Sequence, residues 1–208
     1  MNTRFYNAKI LVLDAENHFS IAEDELHVTG DTITYIGPGR KADPDAAETT
    51  VFDREIDARG NLLIPGFKNA HTHTPMTFLR SYADDLPLHE WLQVFPNEAK
   101  LAGDDVYWLN ILGIMEYLTS GITSNFDMYI QQKNSIAATV DTGFRTVLTS
   151  GLNNFVDSPE ILEEMYNYVN KLSDRTSYLL GFHAEYTTGG PLLESVAKLA
   201  EKYHSPVW

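Results

Sequence analysis

From residue 62 onward, short apolar segments alternate with longer amphipathic segments, and this alternation constrains the fold more than any other feature of the chain. The short segments favour strands and the long ones favour helices. Ser158 and Pro159 form a typical helix start, and Gly121 forms a typical helix end. The order predicts about four strand–helix units around a parallel sheet, and the beginning of a fifth.

Residues 1–61 have a different pattern of apolar and polar residues. They contain short alternating segments separated by turn residues, among them Gly30–Asp31 and Arg59–Gly60–Asn61. Such a pattern predicts a small β-rich unit, and the polar segment 39–48 is typical of a solvated loop. We therefore expect a division between residues 1–61 and residues 62–208.

The composition excludes several classes of ligand and partner. The chain has 15 Lys and Arg residues against 29 Asp and Glu residues, a formal net charge of −14, so nucleic acid is not an expected partner. It has no cysteine, so any metal must be held by His, Asp or Glu. It shows neither a signal peptide nor a run of about 18 apolar residues, so we expect no membrane contact and a cytoplasmic location.

Two histidines, His71 and His73, stand one residue apart at the end of the first apolar segment of the alternating region. Residues i and i+2 of a strand point to the same face, so both imidazoles can converge on one ion. They also come at the carboxyl end of their strand, where α/β barrels carry their chemistry. The spacing predicts a metal site, but two inert, hydrogen-bonded histidines at a strand end would show the same spacing.

The stretch LIPGFKNAHTHTPMTFLRSYADDLPLHEWL, residues 63–92, resembles the start of the metal-dependent amidohydrolase superfamily. Within it, the most similar group is that of the S-adenosylhomocysteine and methylthioadenosine deaminases, with triazine hydrolases and guanine deaminases as relatives. The resemblance extends to EAKLAGDDVYW, SGITSNFDMY, GFRTVLTSGL and HAEYTT. It therefore covers nearly the whole chain.

This resemblance implies an α/β fold, the N-terminal part of a (β/α)8 TIM-type barrel preceded by part of a small β-sandwich. It implies one divalent metal per complete barrel, zinc or alternatively iron, with His71 and His73 as two of the ligands. It places the other ligands and a proton-moving glutamate in later strands, so no catalytic residue is assigned within this chain. The 208 residues alone are therefore expected to be inactive.

The implied activity is that of a metal-dependent aminohydrolase, a hydrolase acting on C–N bonds other than peptide bonds. It would release ammonia from an adenine nucleoside, such as methylthioadenosine or adenosine, or from a related aminated heterocycle. Two alternatives stay open. The site could cleave an amide, a cyclic urea or a triazine C–Cl or C–N bond, or the chain could be an inactive half-barrel that only self-associates through its open sheet edges. A small-molecule substrate and a homo-oligomer are expected.

The resemblance also implies two substrate contacts, Glu98 and His183. A carboxylate can accept hydrogen bonds from two vicinal hydroxyls of a ribose. The alternatives are a solvent-exposed glutamate and a histidine at a strand end whose hydrogen bonds are all made within the protein. Two positions depart from the family: Glu185 stands where proline is usual, and Ser150 stands where the adenosylhomocysteine deaminases carry an arginine for the amino-acid carboxylate. The serine favours a neutral substrate.

Several other polar residues are expected to have structural roles. Asp127 is predicted to cap backbone rather than to support the metal histidines. The consecutive residues Asp84 and Asp85 are expected in a loop that shapes the pocket. The remaining histidines show no partner pattern and are predicted at the surface: His18, His27, His89 and His204.

Overall fold

The computed structural model describes residues 1–39, 51–130 and 132–208, which divide into two compact units, Met1–Pro65 and Gly66–Trp208. The boundary lies slightly later than the one expected from the sequence, because a short strand after residue 61 pairs within the sheet of the first unit. The predicted loop at 39–48 lies, apart from its first residue, outside the described residues.

The first unit contains one five-stranded sheet. Its strands are β1 (Asn2–Leu13), β2 (Phe19–Thr29), β3 (Thr32–Gly37), β4 (Arg54–Asp57) and β5 (Leu62–Leu63). The central strand β1 pairs antiparallel with β2 and parallel with β4 and β5. Gly30 has a φ of 65°, which the tight turn between β2 and β3 requires and which glycine adopts without strain. The predicted turn at this position is therefore confirmed.

One surface prediction in this unit is wrong, because His27 is only 8% exposed. Its Nε2 lies 2.7 Å from a carboxylate oxygen of Glu25, and its ring packs against the rings of Tyr35 and Phe52. Glu25 also accepts a hydrogen bond from the guanidinium of Arg4. His27 can be buried because it pairs with the Glu25 carboxylate, which Arg4 also binds. The spacing of these residues in the sequence does not reveal that they are partners.

The second unit contains a four-stranded parallel sheet with helices in the connections, which confirms the predicted α/β order. In sheet order the strands are β6 (Phe67–Thr72), β7 (Ile122–Met128), β8 (Arg145–Thr149) and β9 (Thr176–Tyr178). The helices are α1 (Leu88–Trp91), α2 (Phe95–Glu98), α3 (Gly103–Thr119), α4 (Gln132–Thr142), α5 (Pro159–Val169) and α6 (Gly190–Tyr203), with short 3-10 turns at Thr74–Leu79 and Leu92–Val94. Strands that follow in sequence order around helical crossovers form the opening part of a (β/α) barrel.

Local sequence signals place several of these ends. Ser158 caps α5 by accepting the N–H of Ile161 at 3.3 Å, and Pro159 is the first helical residue, as predicted. Gly121 follows α3 with a φ of 78°, as a helix end requires. Leu180 and Val207 form a parallel bridge, which is the predicted start of a further strand.

The first barrel strand departs from expectation. The first apolar segment after residue 61 forms two strands rather than one, because it is interrupted between β5 and β6, and Phe67 at the start of β6 is 59% exposed. This exposure follows from the position of β6 at the edge of the described sheet. The interior core lies further along the sheet, where residues of α4, α5 and α6 cluster with residues of β8 and β9; its buried members include Ile136, Leu148, Leu162, Met165, Tyr178, Leu180 and Val196. No helix within the described ranges is long and apolar enough to cross a membrane.

Candidate metal and substrate site

His71 and His73 lie together at the carboxyl end of β6. Their ring centroids are 5.0 Å apart and their planes make an angle of 86°. Thr72 between them is buried, and its hydroxyl lies 2.9 Å from both the Phe126 carbonyl oxygen and the Asp127 carboxylate. The two imidazoles therefore share one face of the strand, as the alternation of strand side chains requires.

The hydrogen bond of His73 determines which of its ring nitrogens is free. Its Nδ1 lies 2.9 Å from the carbonyl oxygen of Met128. A carbonyl oxygen only accepts, so Nδ1 carries the proton, and in the neutral ring Nε2 keeps its lone pair. Metal-binding histidines in proteins show this same arrangement. The donor chemistry of His73 therefore fits a divalent metal at Nε2.

His71 and His73 supply two nitrogen donors, half of the tetrahedral shell that zinc prefers. Across residues 1–39, 51–130 and 132–208, no group of three or more His, Asp or Glu side chains is arranged to hold a metal ion. The described part of the chain therefore offers two nitrogen donors at this strand end.

Asp127 holds the backbone that follows the histidines. Its carboxylate accepts the N–H of Thr74 at 2.9 Å and lies 2.9 Å from the hydroxyl of Thr72. Burial raises the pKa of the Asp127 carboxyl, and the bonds from Thr74 and Thr72 and the charge of His73 oppose that rise. The predicted backbone-capping role is therefore what the structure shows.

The segment after His73 is held between α3 and β7. The side-chain amide of Asn125 donates to the hydroxyls of Thr72 and Thr74 at 3.0 and 3.2 Å, and the Thr74 hydroxyl lies 3.0 Å from that of Tyr117. A Cβ added at Gly113 would lie 2.4 Å from the methyl group of Thr74. The helix therefore approaches this segment as closely as a residue without a side chain permits.

Glu98, the last residue of α2, is 3% exposed, and its Oε1 has no hydrogen-bond partner among the described residues. Burial raises the pKa of its carboxyl to about 7. At the start of the same helix, the ring of Phe95 lies 6.5 Å from that of His183 and 5.5 Å from that of Trp91. A solvated glutamate, the alternative expectation, is not what the structure shows.

His183 follows β9, and its Nδ1 lies 2.8 Å from the hydroxyl oxygen of Thr187. That hydroxyl donates to the carbonyl of Ala184 at 3.0 Å, so its oxygen accepts from Nδ1–H and the Nε2 of His183 keeps a lone pair. Burial lowers the pKa of the His183 imidazole, and the charge of His73 lowers it further. His183 is therefore a neutral hydrogen-bond acceptor in the electrostatic range of His73.

Ser150 is fully buried, and its hydroxyl donates to the carboxylate of Asp157. The same carboxylate accepts the amide of Gln132 at 3.0 Å, and that amide in turn accepts the hydroxyl of Tyr178. The serine hydroxyl is thus engaged in a polar network inside the protein.

Asp84 and Asp85 lie in an exposed turn before α1, which agrees with the expected loop position.

Sequence reasoning missed Tyr129, the first residue after β7. It is 4% exposed, and its hydroxyl has no partner in the part of the chain that the structure describes. Burial raises the pKa of its phenol, and the carboxylates of Glu98 and Asp127 raise it further. Its one signal in the sequence is its position, two residues past Asp127 at the carboxyl end of a predicted strand.

A cavity of about 420 Å³ is lined by residues of all four strands of this sheet, and of the residues described above Asn125 and Phe126 border it. Its lining includes Lys68, Ser124, Arg145 and Thr176, and it contains none of the histidines or carboxylates described above. His71, His73 and Tyr129 lie instead at the carboxyl ends of β6 and β7.

Comparison with known proteins shows the family to which this chain is similar. A match to the amidohydrolase family covers residues 62–207. The chain is 36% identical over 213 residues to a 5-methylthioadenosine/S-adenosylhomocysteine deaminase from Caldicellulosiruptor saccharolyticus, covering 100% of this chain and 48% of that protein. It is 38% identical over 192 residues to a 5′-deoxyadenosine deaminase from Methanocaldococcus jannaschii, covering 88% of this chain and 44% of that protein. The chain thus spans about half the length of the curated relatives that it matches.

A solved structure extends the comparison to three dimensions. An adenosine deaminase from Xanthomonas campestris, with bound zinc, matches with a TM-score of 0.85 and 28% identity, covering 99% of this chain and 48% of that one. The parallel sheet and its helices correspond to part of that fold. The match over residues 62–207 and the agreement in fold lead to one conclusion: this chain belongs to the amidohydrolase family.

Proposed function

We propose that the full-length protein is a metal-dependent aminohydrolase that releases ammonia from an adenine nucleoside or a related aminated heterocycle. The observation that carries the proposal is the geometry at the end of β6, where His71 and His73 share one face and the Nδ1–H of His73 is committed to Met128. The deaminase activities named for the two curated relatives support the reaction type.

His71 and His73 would hold a divalent metal. The zinc in the similar Xanthomonas campestris structure supports zinc, with iron as the alternative. When bound, such a metal supplies the activation of water near neutral pH. The carbonyl of Met128 orients the ring of His73, and the contacts around Thr74 hold the backbone beside it. The other ligands and the glutamate that moves protons are expected outside these 208 residues.

Glu98 and His183 would bind the substrate. The Oε1 of Glu98 is buried and has no partner among the described residues, which supports a role as acceptor for the hydroxyls of a sugar. The free Nε2 of His183 supports a role as acceptor for an N–H or O–H group of the substrate. The rings of Phe95 and Trp91 lie in contact with each other on the same side and offer apolar surface to a flat heterocycle.

The substrate would be neutral beyond its sugar. Ser150 presents no charge, and its hydroxyl is bound to Asp157, which is itself a carboxylate. A substrate with an anionic tail near this loop would meet that carboxylate rather than a cation. Methylthioadenosine, 5′-deoxyadenosine and adenosine fit this environment better than adenosylhomocysteine does.

The test is ammonia release by the full-length, metal-loaded protein from a panel of nucleosides, guanine, pterins and triazines. We expect release from the neutral adenine nucleosides, with adenosylhomocysteine the poorest nucleoside substrate. His73→Asn should lower kcat/KM by more than about 100-fold, the upper end of what loss of a group supporting a metal ligand costs. His204→Asn is the matched control, because His204 is exposed and its left-handed backbone suits asparagine. No ammonia from any aminated ring would contradict the proposal.

A further inference from the structure

We infer that Tyr129 is a further substrate-binding residue, whose hydroxyl donates a hydrogen bond to the sugar hydroxyls that Glu98 accepts from. The inference rests on the proposed function and adds a donor to its substrate site. Glu98 alone offers acceptors, whereas each hydroxyl of a vicinal diol is both a donor and an acceptor. A carboxylate together with a phenol satisfies such a diol more completely than a carboxylate does.

The first observation is the unsatisfied hydroxyl of Tyr129. It is buried, and residues 1–39, 51–130 and 132–208 provide no partner for it. Buried polar groups in native proteins are nearly always paired, and each exception calls for an explanation. Two other phenols of the same unit are paired in the ordinary way, Tyr178 with Gln132 and Tyr117 with Thr74. Tyr129 therefore differs from its counterparts, and a ligand group would satisfy its hydroxyl.

The second observation is where Tyr129 lies. It directly follows Met128, whose carbonyl oxygen holds His73, and its own N–H lies 3.4 Å from the carbonyl oxygen of Thr149 at the end of β8. Tyr129 therefore occupies the carboxyl ends of two neighbouring strands, beside the candidate metal ligand. This is the edge at which barrel enzymes bind their substrates.

The third observation links Tyr129 to Glu98. Both side chains are more than nine-tenths buried, and each has one oxygen without a partner in the described structure. Burial raises the pKa of the Tyr129 phenol, and the ionised form of Glu98 raises it further, so the two side chains lie within electrostatic range of each other. Tyr129 thus keeps its proton and is a donor, whereas the Oε1 of Glu98, which has no partner in the described structure, is an acceptor once the carboxyl is ionised.

The experiment measures binding of deaminated nucleosides, which are not turned over. The metal-loaded, full-length protein is titrated calorimetrically with inosine and with 2′,3′-dideoxyinosine, which lacks both sugar hydroxyls. Tyr129→Phe should weaken inosine binding roughly fivefold to tenfold, the worth of one hydrogen bond, and leave dideoxyinosine binding unchanged within about twofold. With adenosine as substrate, KM should rise and kcat should hold.

Tyr117→Phe is the matched control, because its hydroxyl is paired with Thr74 inside the protein. Tyr117→Phe should lower the thermal stability and keep the preference for inosine over dideoxyinosine. Tyr129→Phe should not lower the stability, since it removes a hydroxyl that has no partner in the described structure. Equal weakening of both ligands by Tyr129→Phe, or lost stability with unchanged binding, would overturn the inference. Ammonia release from adenosine tests the proposed function separately, so an active enzyme with unaltered inosine binding in Tyr129→Phe defeats this inference alone.

Discussion

The Nδ1 atom of His73 lies 2.9 Å from the carbonyl oxygen of Met128. This bond joins the end of β6 to the end of β7 and sets the orientation of the imidazole through a backbone atom. Changes to the Met128 side chain therefore leave the acceptor in place. Metal binding is therefore best tested by substituting His71 and His73.

Loss of either histidine should remove the metal. Full-length His71→Asn and His73→Asn proteins, purified and analysed by mass spectrometry for metals, should retain less than about a tenth of the wild-type metal content, because fewer donors remain to hold the ion. His204→Asn, which makes the same chemical change at an exposed helix end, should retain all of it. Full metal content in His73→Asn would show that the metal lies elsewhere.

The burial of Glu98 should make stability depend on pH. Its carboxyl pKa rises from 4.5 to about 7, so the folded protein keeps a proton that the unfolded chain has lost. The protonated Glu98 contributes its full share to the stability of the folded state below about pH 4.5, and this contribution is lost as the pH rises through about 7. A glutamine at this position does not titrate. The free energy of unfolding of Glu98→Gln, relative to that of the wild type, should therefore rise by up to about 3 kcal/mol between about pH 5 and pH 8. Urea unfolding at both pH values measures this, and a pH-independent difference would refute it.

The close approach of α3 to Thr74 should make Gly113 intolerant of a side chain. Alanine normally favours a helix over glycine by about 1 kcal/mol, yet a Cβ at Gly113 would lie 2.4 Å from the Thr74 methyl group. Gly113→Ala should therefore lower the free energy of unfolding by about 1–3 kcal/mol. Gly190→Ala is the control, since a Cβ there meets nothing within 4 Å, and it should not destabilise. Stabilisation of both variants would contradict this packing.

Thr187 should act through His183 as a positioning residue. Its hydroxyl oxygen lies 2.8 Å from Nδ1, and it accepts there because its proton goes to Ala184. Thr187→Val would leave Nδ1–H unpaired and lower kcat/KM about tenfold, whereas Thr187→Ser should restore it. Nitrogen NMR of His183 should show the Nδ1–H tautomer in the wild type and in Thr187→Ser. Equal activity of the valine and serine variants would rule out this role.

Much of the second unit was predictable because its signals are local. The alternation of apolar and amphipathic segments marks β7, β8 and the helices between them, and Ser158 with Pro159 marks the start of α5 through its own capping chemistry. The shared face of His71 and His73 likewise follows from the geometry of a single strand.

The unpredicted features depend on contacts between distant segments. His27 is buried because its ring is hydrogen-bonded to Glu25, whose carboxylate also accepts from Arg4, and no spacing rule brings Arg4 there. Glu98 looks like an ordinary glutamate near a helix start, and only the packing of α2 buries it. Tyr129 follows a predicted strand, and the lack of a partner for its hydroxyl among the described residues is visible only in the folded structure.

The most direct test of the account is ammonia release from methylthioadenosine by the full-length protein at increasing zinc content. We predict no release after the metal is removed by a chelator, and release that rises in proportion to bound zinc up to about one ion per chain. Release that persists without metal, or no release at full zinc content, would contradict the assignment of His71 and His73 to the metal site of a deaminase.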